Sequence, residues 1–255
     1  MDEQTNSGDD LMGFAGDVWA WLTDSANWSG PDGIVLRATE HVQISFSAVL
    51  VAMLVAVPLG LYVGHTRRFE LFAITTGNLG RALPSFGILA ICFGLPFFAQ
   101  LPGVIGYWPT FAALFLLAVP PILINTYVGI KGVDPDVVEA ARGMGMTGRE
   151  ILRRIELPLA MPLMVSGLRI ASVQVVATAT LGALGGYGTF GRYIIDGRSV
   201  GDNIKVAAGA VLVALLALSV ELGFGVLERV SAPRTVKRPK RRFAVGRLSE
   251  PETVT

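Results

Sequence analysis

Hydrophobic positions along the chain fall into long runs, not the short alternating clusters of a soluble core. Residues 83–130 contain no Asp, Glu, Lys or Arg. At about 1.5 Å per residue that stretch suffices for two passes through a bilayer core about 30 Å thick. The pattern predicts an all-α integral membrane protein with five spans, at residues 37–63, 81–98, 109–130, 159–184 and 204–227. Pro58 and Gly60 loosen the inner half of the first, a polar helical lead-in at 75–78 precedes the second, and Pro120-Pro121 lies in the third. Ahead of them Leu11, Phe14, Ala15, Val18, Trp19 and Leu22 recur at helical spacing and form one apolar stripe. That helix is too short to span. Two placements fit it: along the outer membrane surface with Trp19 and Trp21 at headgroup level, or packed on the protein's own exterior.

Composition agrees with the spans. Hydrophobic residues make up 52% of the chain and charged residues 16%, against roughly 45–50% and 25% in soluble domains. A soluble enzyme and an extended disordered chain are both excluded. The net charge of +1 hides a segregation: the first 36 residues hold seven acidic side chains and no basic one, whereas eight basic residues lie between Arg229 and Arg247. Lys/Arg-rich short loops stay in the cytoplasm. With the N-terminus outside, the inner segments hold Arg67 and Arg68, then Lys131, Arg142, Arg149, Arg153 and Arg154, then the basic tail. An odd number of spans satisfies the rule. The expected organisation is an acidic extracytoplasmic segment at 1–36, a membrane domain at 37–230 with a cytoplasmic loop at 131–158, and a disordered basic cytoplasmic tail at 231–255. No motif supports nucleic-acid binding by that tail.

Cys92 is the only cysteine, so no intrachain disulfide is expected, and His41 and His65 are too few and too distant for a metal site. Acidic residues follow Met1, so no cleavable signal peptide is expected.

The informative stretch lies between the third and fourth spans. Asp134-Pro135-Asp136 reads as an N-cap with Pro at the first helical position. A short helix runs on through Glu139, Ala140, Ala141 and Arg142 until Gly143 and Gly145 end it. Thr147 and Glu150 form a capping box for a second short helix. Ile151, Leu152 and Ile155 take one face of it, Arg149, Arg153 and Arg154 the other, and Leu157-Pro158 is expected to stop it. A loop punctuated in this way is a rigid docking element. Its two alanines permit close approach to a partner, while Glu139 and Arg142 offer charge-assisted contacts at the rim.

Glu139-Ala140-Ala141, Gly145 after three intervening residues, then Ile155 and Leu157-Pro158 after nine more reproduce the spacing of the EAA motif. The stretch therefore resembles the coupling loop of ABC importer permeases. Asn125-Thr126-Tyr127, Gly132-Val133-Asp134, Gly143-Met144-Gly145-Met146-Thr147 and Gly185-Gly186-Tyr187-Gly188 resemble the glycine betaine, carnitine and choline branch. The resemblance covers about residues 28–228. It implies the small type I importer permease fold in a bacterial plasma membrane, and cytoplasmic ATPase subunits docked on the loop. It also implies a second permease subunit, identical or homologous, and an extracytoplasmic binding protein that meets the outer loop at 185–203. ATP and Mg would belong to the ATPase, with no cofactor on this chain. Two departures stand out: Thr189-Phe190-Gly191-Arg192, where a compact Gly-Leu-Gly is expected, and the acidic amphipathic N-terminus.

No phosphate-loop motif is present. Arg81, Arg169 and Glu221 are the ionisable residues expected within the membrane, toward the inner ends of their spans, so a proton-coupled carrier with midplane acids is disfavoured. Arg169 and Glu221 are candidates for an intramembrane ion pair. Asn125, Ser172, Gln174, Thr178 and Thr180 are candidates for lining a pathway, although interhelical hydrogen bonds explain them nearly as well. Pro84, Pro120 and Pro121 would kink its walls, Cys92 fills a gap, and no aromatic cage is evident. Two rival readings remain: a permease for an amino acid such as methionine, disfavoured by the wording of 125–147, and a membrane scaffold that anchors a cytoplasmic partner. The five-span topology has a direct check. A tag at Asp9 is expected to be reachable only from outside and one at Glu252 only from the cytoplasm; both on one side would rule it out.

Overall fold

A computed structural model describes residues 3–82 and 85–231. The side chain of Arg81, Pro84 and the basic tail from residue 232 onward, including its expected disorder, lie outside the described residues, as does the Leu11 side chain. All described regular structure is helical. The N-terminal helix α1 (Glu3–Thr23) is followed by α2 (Ile34–Thr66), α3 (Glu70–Ala82), α4 (Ser85–Gly94) and the single turn α5 (Pro96–Ala99). Then come α6 (Tyr107–Lys131), α7 (Pro135–Gly143), the short α8 (Gly148–Ile151), α9 (Leu157–Ala179), α10 (Gly191–Val200) and α11 (Asn203–Ser231).

Four helical stretches among the described residues are long and apolar enough to cross a membrane: Ile34–Thr66, Tyr107–Lys131, Gly148–Gly185 and Asn203–Val230. They correspond to the expected first, third, fourth and fifth spans. The expected second span is instead divided among the end of α3, α4 and α5. Pro96 starts α5 and Leu95 before it is extended, because Pro lacks an N–H and excludes the α conformation from the preceding residue. The polar lead-in at 75–78 belongs to α3, which packs against α6.

Small residues join the long helices. Ala48, Ala52, Ala56, Gly60 and Gly64 recur every four residues on the buried face of α2. A Cβ at Gly60 would fall 2.7 Å from Thr126 Cβ, and one at Gly64 2.7 Å from Ile130 Cβ, both on α6. On the other side of α6, a Cβ at Gly167 of α9 would meet Asn125 Cβ at 2.5 Å and the Pro121 carbonyl oxygen at 2.9 Å. Close backbone approach of this kind is how helices associate in lipid.

The helix of the docking segment does not stop at Leu157-Pro158 as the sequence suggests. A π-helical turn, Leu152–Glu156, carries it straight into α9. The Leu157 N–H reaches the Leu152 carbonyl, five residues back. That wider spacing lets the helix continue past Pro158, which has no N–H to give.

The outer loop at 185–203 also contains more structure than expected, since α10 folds back onto α11. α1 rests on α11, its Val18 is buried, and Trp21 meets Tyr193 edge-on with ring centroids 5.3 Å apart. Trp21 is therefore packed on the protein, whereas Trp19 is 69% exposed. The Trp28 indole donates to the Leu22 carbonyl at 2.8 Å, fixing the turn after α1.

If the glycine seam sets helix spacing, Gly167→Ala costs about 1–3 kcal/mol through overpacking. The expected result is a lower melting temperature in detergent, while Gly223→Ala, with open space around it, leaves the transition where it was or higher.

Candidate coupling segment and intramembrane charge cluster

The segment at 134–158 is built by local rules. The Asp134 side chain accepts from the Asp136 N–H at 3.0 Å, and Pro135 occupies the first turn of α7. At the other end the Met146 N–H bonds to the Ala141 carbonyl at 3.2 Å and the Gly145 N–H to that of Arg142 at 3.0 Å. Gly145 itself has φ +84, the left-handed closing conformation that suits glycine. Glu150 then reaches back, its Oε2 accepting from the Thr147 N–H at 3.0 Å and from the Thr147 hydroxyl at 2.8 Å.

These turns sort the motif residues by direction. Ala141 and Ile151 are buried, and Ile155 and Leu157 are half-buried. Glu139, Ala140, Arg142, Gly145 and Pro158 are exposed, as is Met144 at 75%. The segment thus turns an outward face of mixed charge and apolar surface away from the bundle. Beside it, Lys131 donates to Glu70 at 2.6 Å and to the Tyr127 hydroxyl at 2.7 Å. That hydrogen bond from Lys131 holds the Glu70 carboxyl below the usual carboxylate range.

Arg169 of α9 joins two carboxylates of α11. It donates to Glu221, and also to Glu228 at 2.9 Å. Glu228 lies just past the end of the expected fifth span, and its place one turn pair beyond Glu221 was the available signal. Arg169 and Glu221 line a cavity of about 430 Å³ with Ser166, Ile170, Val173, Gln174 and Ala177.

The five candidate pathway residues do not converge. Gln174 lines this cavity. Ser172 lines a separate apolar cavity of about 480 Å³ among α2, α9 and α11, and donates to the Leu168 carbonyl at 2.8 Å. Asn125 sits in the α6–α9 seam, donating to the Pro121 carbonyl at 2.8 Å. Thr178 is half-buried further along α9, and Thr180 donates to the Ala177 carbonyl at 2.9 Å. Three of these hydroxyl and amide groups, on Ser172, Asn125 and Thr180, therefore serve local helix carbonyls.

The end of the bundle where α2 begins carries contacts that residue spacing did not suggest. Fully buried His41 donates from Nε2 to the Val176 carbonyl at 2.9 Å and accepts at Nδ1 from the Phe190 N–H at 3.3 Å, a tautomer assigned from these partners. Arg37 pairs with Asp32 at 2.6 Å and Glu40 at 2.8 Å. A Cβ at Gly188 would lie 2.0 Å from Glu40 Oε2, so the outer loop lies directly on this pair. Tyr193 donates to the Asp32 carbonyl at 2.7 Å, and burial pushes its phenol up to about 12.

Residues 56–231 match the family described as binding-protein-dependent transport system inner membrane component, and the chain belongs to that family. Among curated relatives, the glycine betaine/carnitine/choline transport system permease protein OpuCB of Bacillus subtilis (strain 168) is 37% identical over 207 residues, covering 81% of this chain and 92% of that one. The osmoprotectant import permease protein OsmY of Salmonella typhimurium is 35% identical over 199 residues, 77% of this chain and 81% of the relative. The fold is shared with a solved inward-facing MetNI methionine ABC transporter, with TM-score 0.68 and 22% identity over 78% of this chain and 95% of that one. An amino acid ABC transporter crystallised with histidines aligns with TM-score 0.63 at 20% identity, covering 77% and 92%.

Removing one member of an ion-paired cluster strands the others in a low-dielectric setting. Arg169→Ala is expected to lower the melting temperature in detergent more than Glu228→Gln does. Neutralising both glutamates in the Arg169→Ala background is expected to recover part of the loss.

Proposed function

We propose that the chain is the permease subunit of an ATP-driven ABC importer for an osmoprotectant such as glycine betaine, carnitine or choline, working in a bacterial plasma membrane. The observation that carries this reading is the docking segment: two capped helices closed by a left-handed Gly145, with Glu139, Ala140, Arg142 and Met144 turned outward. Family membership supports the transport role, and the curated relatives' names support the substrate class. The MetNI likeness, at 22% identity, speaks for the fold and not for methionine.

In this reading the chain has five passes, with α3 to α5 together making the second, the N-terminus outside and the C-terminus in the cytoplasm. Each of two permease subunits holds half a pathway, and the cavity beside Arg169 and Gln174 opens toward the partner half. An ATPase subunit binds ATP and Mg and seats on residues 134–155 of each permease. A substrate-loaded binding protein lands on the outer loop, where Arg198 is exposed and Arg192 pairs with Asp196 at 3.2 Å. The chain itself performs no covalent chemistry.

Gly145→Val tests the reading, because a β-branched residue at φ +84 is strained although the space around it is open. The docking face of 147–155 is then redirected. Membrane insertion is expected at a normal level, with uptake and co-purification of the ATPase both lost. Glu139→Lys keeps the geometry and reverses one charge; it is expected to lose uptake as well. Normal uptake by inserted Gly145→Val would make the segment a linker.

A further inference from the structure

One contact at the inner face joins the docking segment to a helix far away in sequence. Glu156 closes the π-helical turn and is buried, with a side chain 8% exposed. Its Oε2 meets Nδ1 of His65, in the last turn of α2, at 2.5 Å. The other edge of the imidazole lies over the backbone of Gly148, where a Cβ would fall 3.4 Å from Nε2. The ring therefore sits between the first residue of α8 and the last of the π turn.

The two sides of this contact differ mechanically. The end of α2 is fixed: Arg67 closes it in the left-handed conformation, its N–H on the Val63 carbonyl at 3.0 Å. The Arg67 guanidinium donates to the Lys131 carbonyl at 3.2 Å, and Lys131 in turn holds Glu70. The joint between α8 and α9 is the yielding side. Its hydrogen bonds span five residues, Pro158 contributes no N–H, and π turns are weak points in a helical ladder. A rotation applied to α7 and α8 would be absorbed there unless something restrained it.

We propose that His65 is a positioning residue for coupling: its pair with Glu156 braces the π turn, so that movement of the docked ATPase drives α2 and α9 together. The proposal rests on the docking role of 134–155 given above.

The test uses the full complex of permease, ATPase and binding protein in proteoliposomes, with radiolabelled glycine betaine as the probe. It reads glycine betaine accumulated per ATP hydrolysed. His65→Leu is expected to lower that ratio about fivefold or more while ATPase co-purification stays at the wild-type level. His65→Lys, which again offers a donor to the carboxylate, restores most of it. Glu156→Gln keeps the side-chain shape and is expected to lower the ratio likewise, so the result does not hang on insertion of one variant. An unchanged ratio in both His65→Leu and Glu156→Gln overturns the proposal. So does loss of the ATPase from either variant, which would place the pair in the docking surface itself, or failure of His65→Lys to recover. If the wild-type permease binds no ATPase, the docking reading falls and takes this one with it. A coupled wild type with equally coupled variants removes the brace alone.

Discussion

Water drives apolar helices together, but hydrocarbon does not, so helices in a bilayer need close backbone approach to hold one another. Here α6 supplies that hold. The alanine and glycine seam of α2 lies along one side of it and Gly167 of α9 presses on another, while α3 and α4 also pack against α6. Every further element is placed relative to this trio. Were the seam looser, Glu156 would not reach His65, nor Gly188 lie on Glu40.

Charge is arranged on the same scaffold at three depths. Arg37 sits between Asp32 and Glu40 at the outer end, Arg169 between Glu221 and Glu228 on the α9–α11 flank, and Lys131 against Glu70 and Tyr127 at the inner end. Arg169 and Lys131 each join two helices, α9 to α11 and α6 to α3, whereas the Arg37 pairs are local to the start of α2. A cavity opens beside the Arg169 cluster, where Gln174 and Ser166 add uncharged hydrogen-bonding groups to a largely apolar lining.

The sequence made local features readable and distant ones unreadable. Asp134, Gly145, Thr147 and Glu150 act on neighbours within a few residues, and their caps could be inferred from spacing alone. The long apolar runs likewise identified four helices to within a few residues of their ends. By contrast, Pro158 looked like a stop because nothing local reveals that a π turn will bypass it. Pro96 looked compatible with a span, yet it divides the segment. His65 and Glu156 are 91 positions apart, and His41 reads as an isolated histidine until Val176 and Phe190 are folded around it. Contacts of this kind follow from which helices face each other, which a single sequence does not display.

The position of α2 has a thermodynamic consequence. At its outer end Glu40 and His41 touch the loop that would receive a binding protein; at its inner end His65 touches the segment that would receive an ATPase. A helix of 33 residues spans about 50 Å, and it contacts both of these segments. If landing on one side shifts the balance between two arrangements of this helix, linkage requires the effect to be reciprocal. The factor by which a loaded outer protein strengthens ATPase binding must equal the factor by which bound ATPase strengthens capture outside.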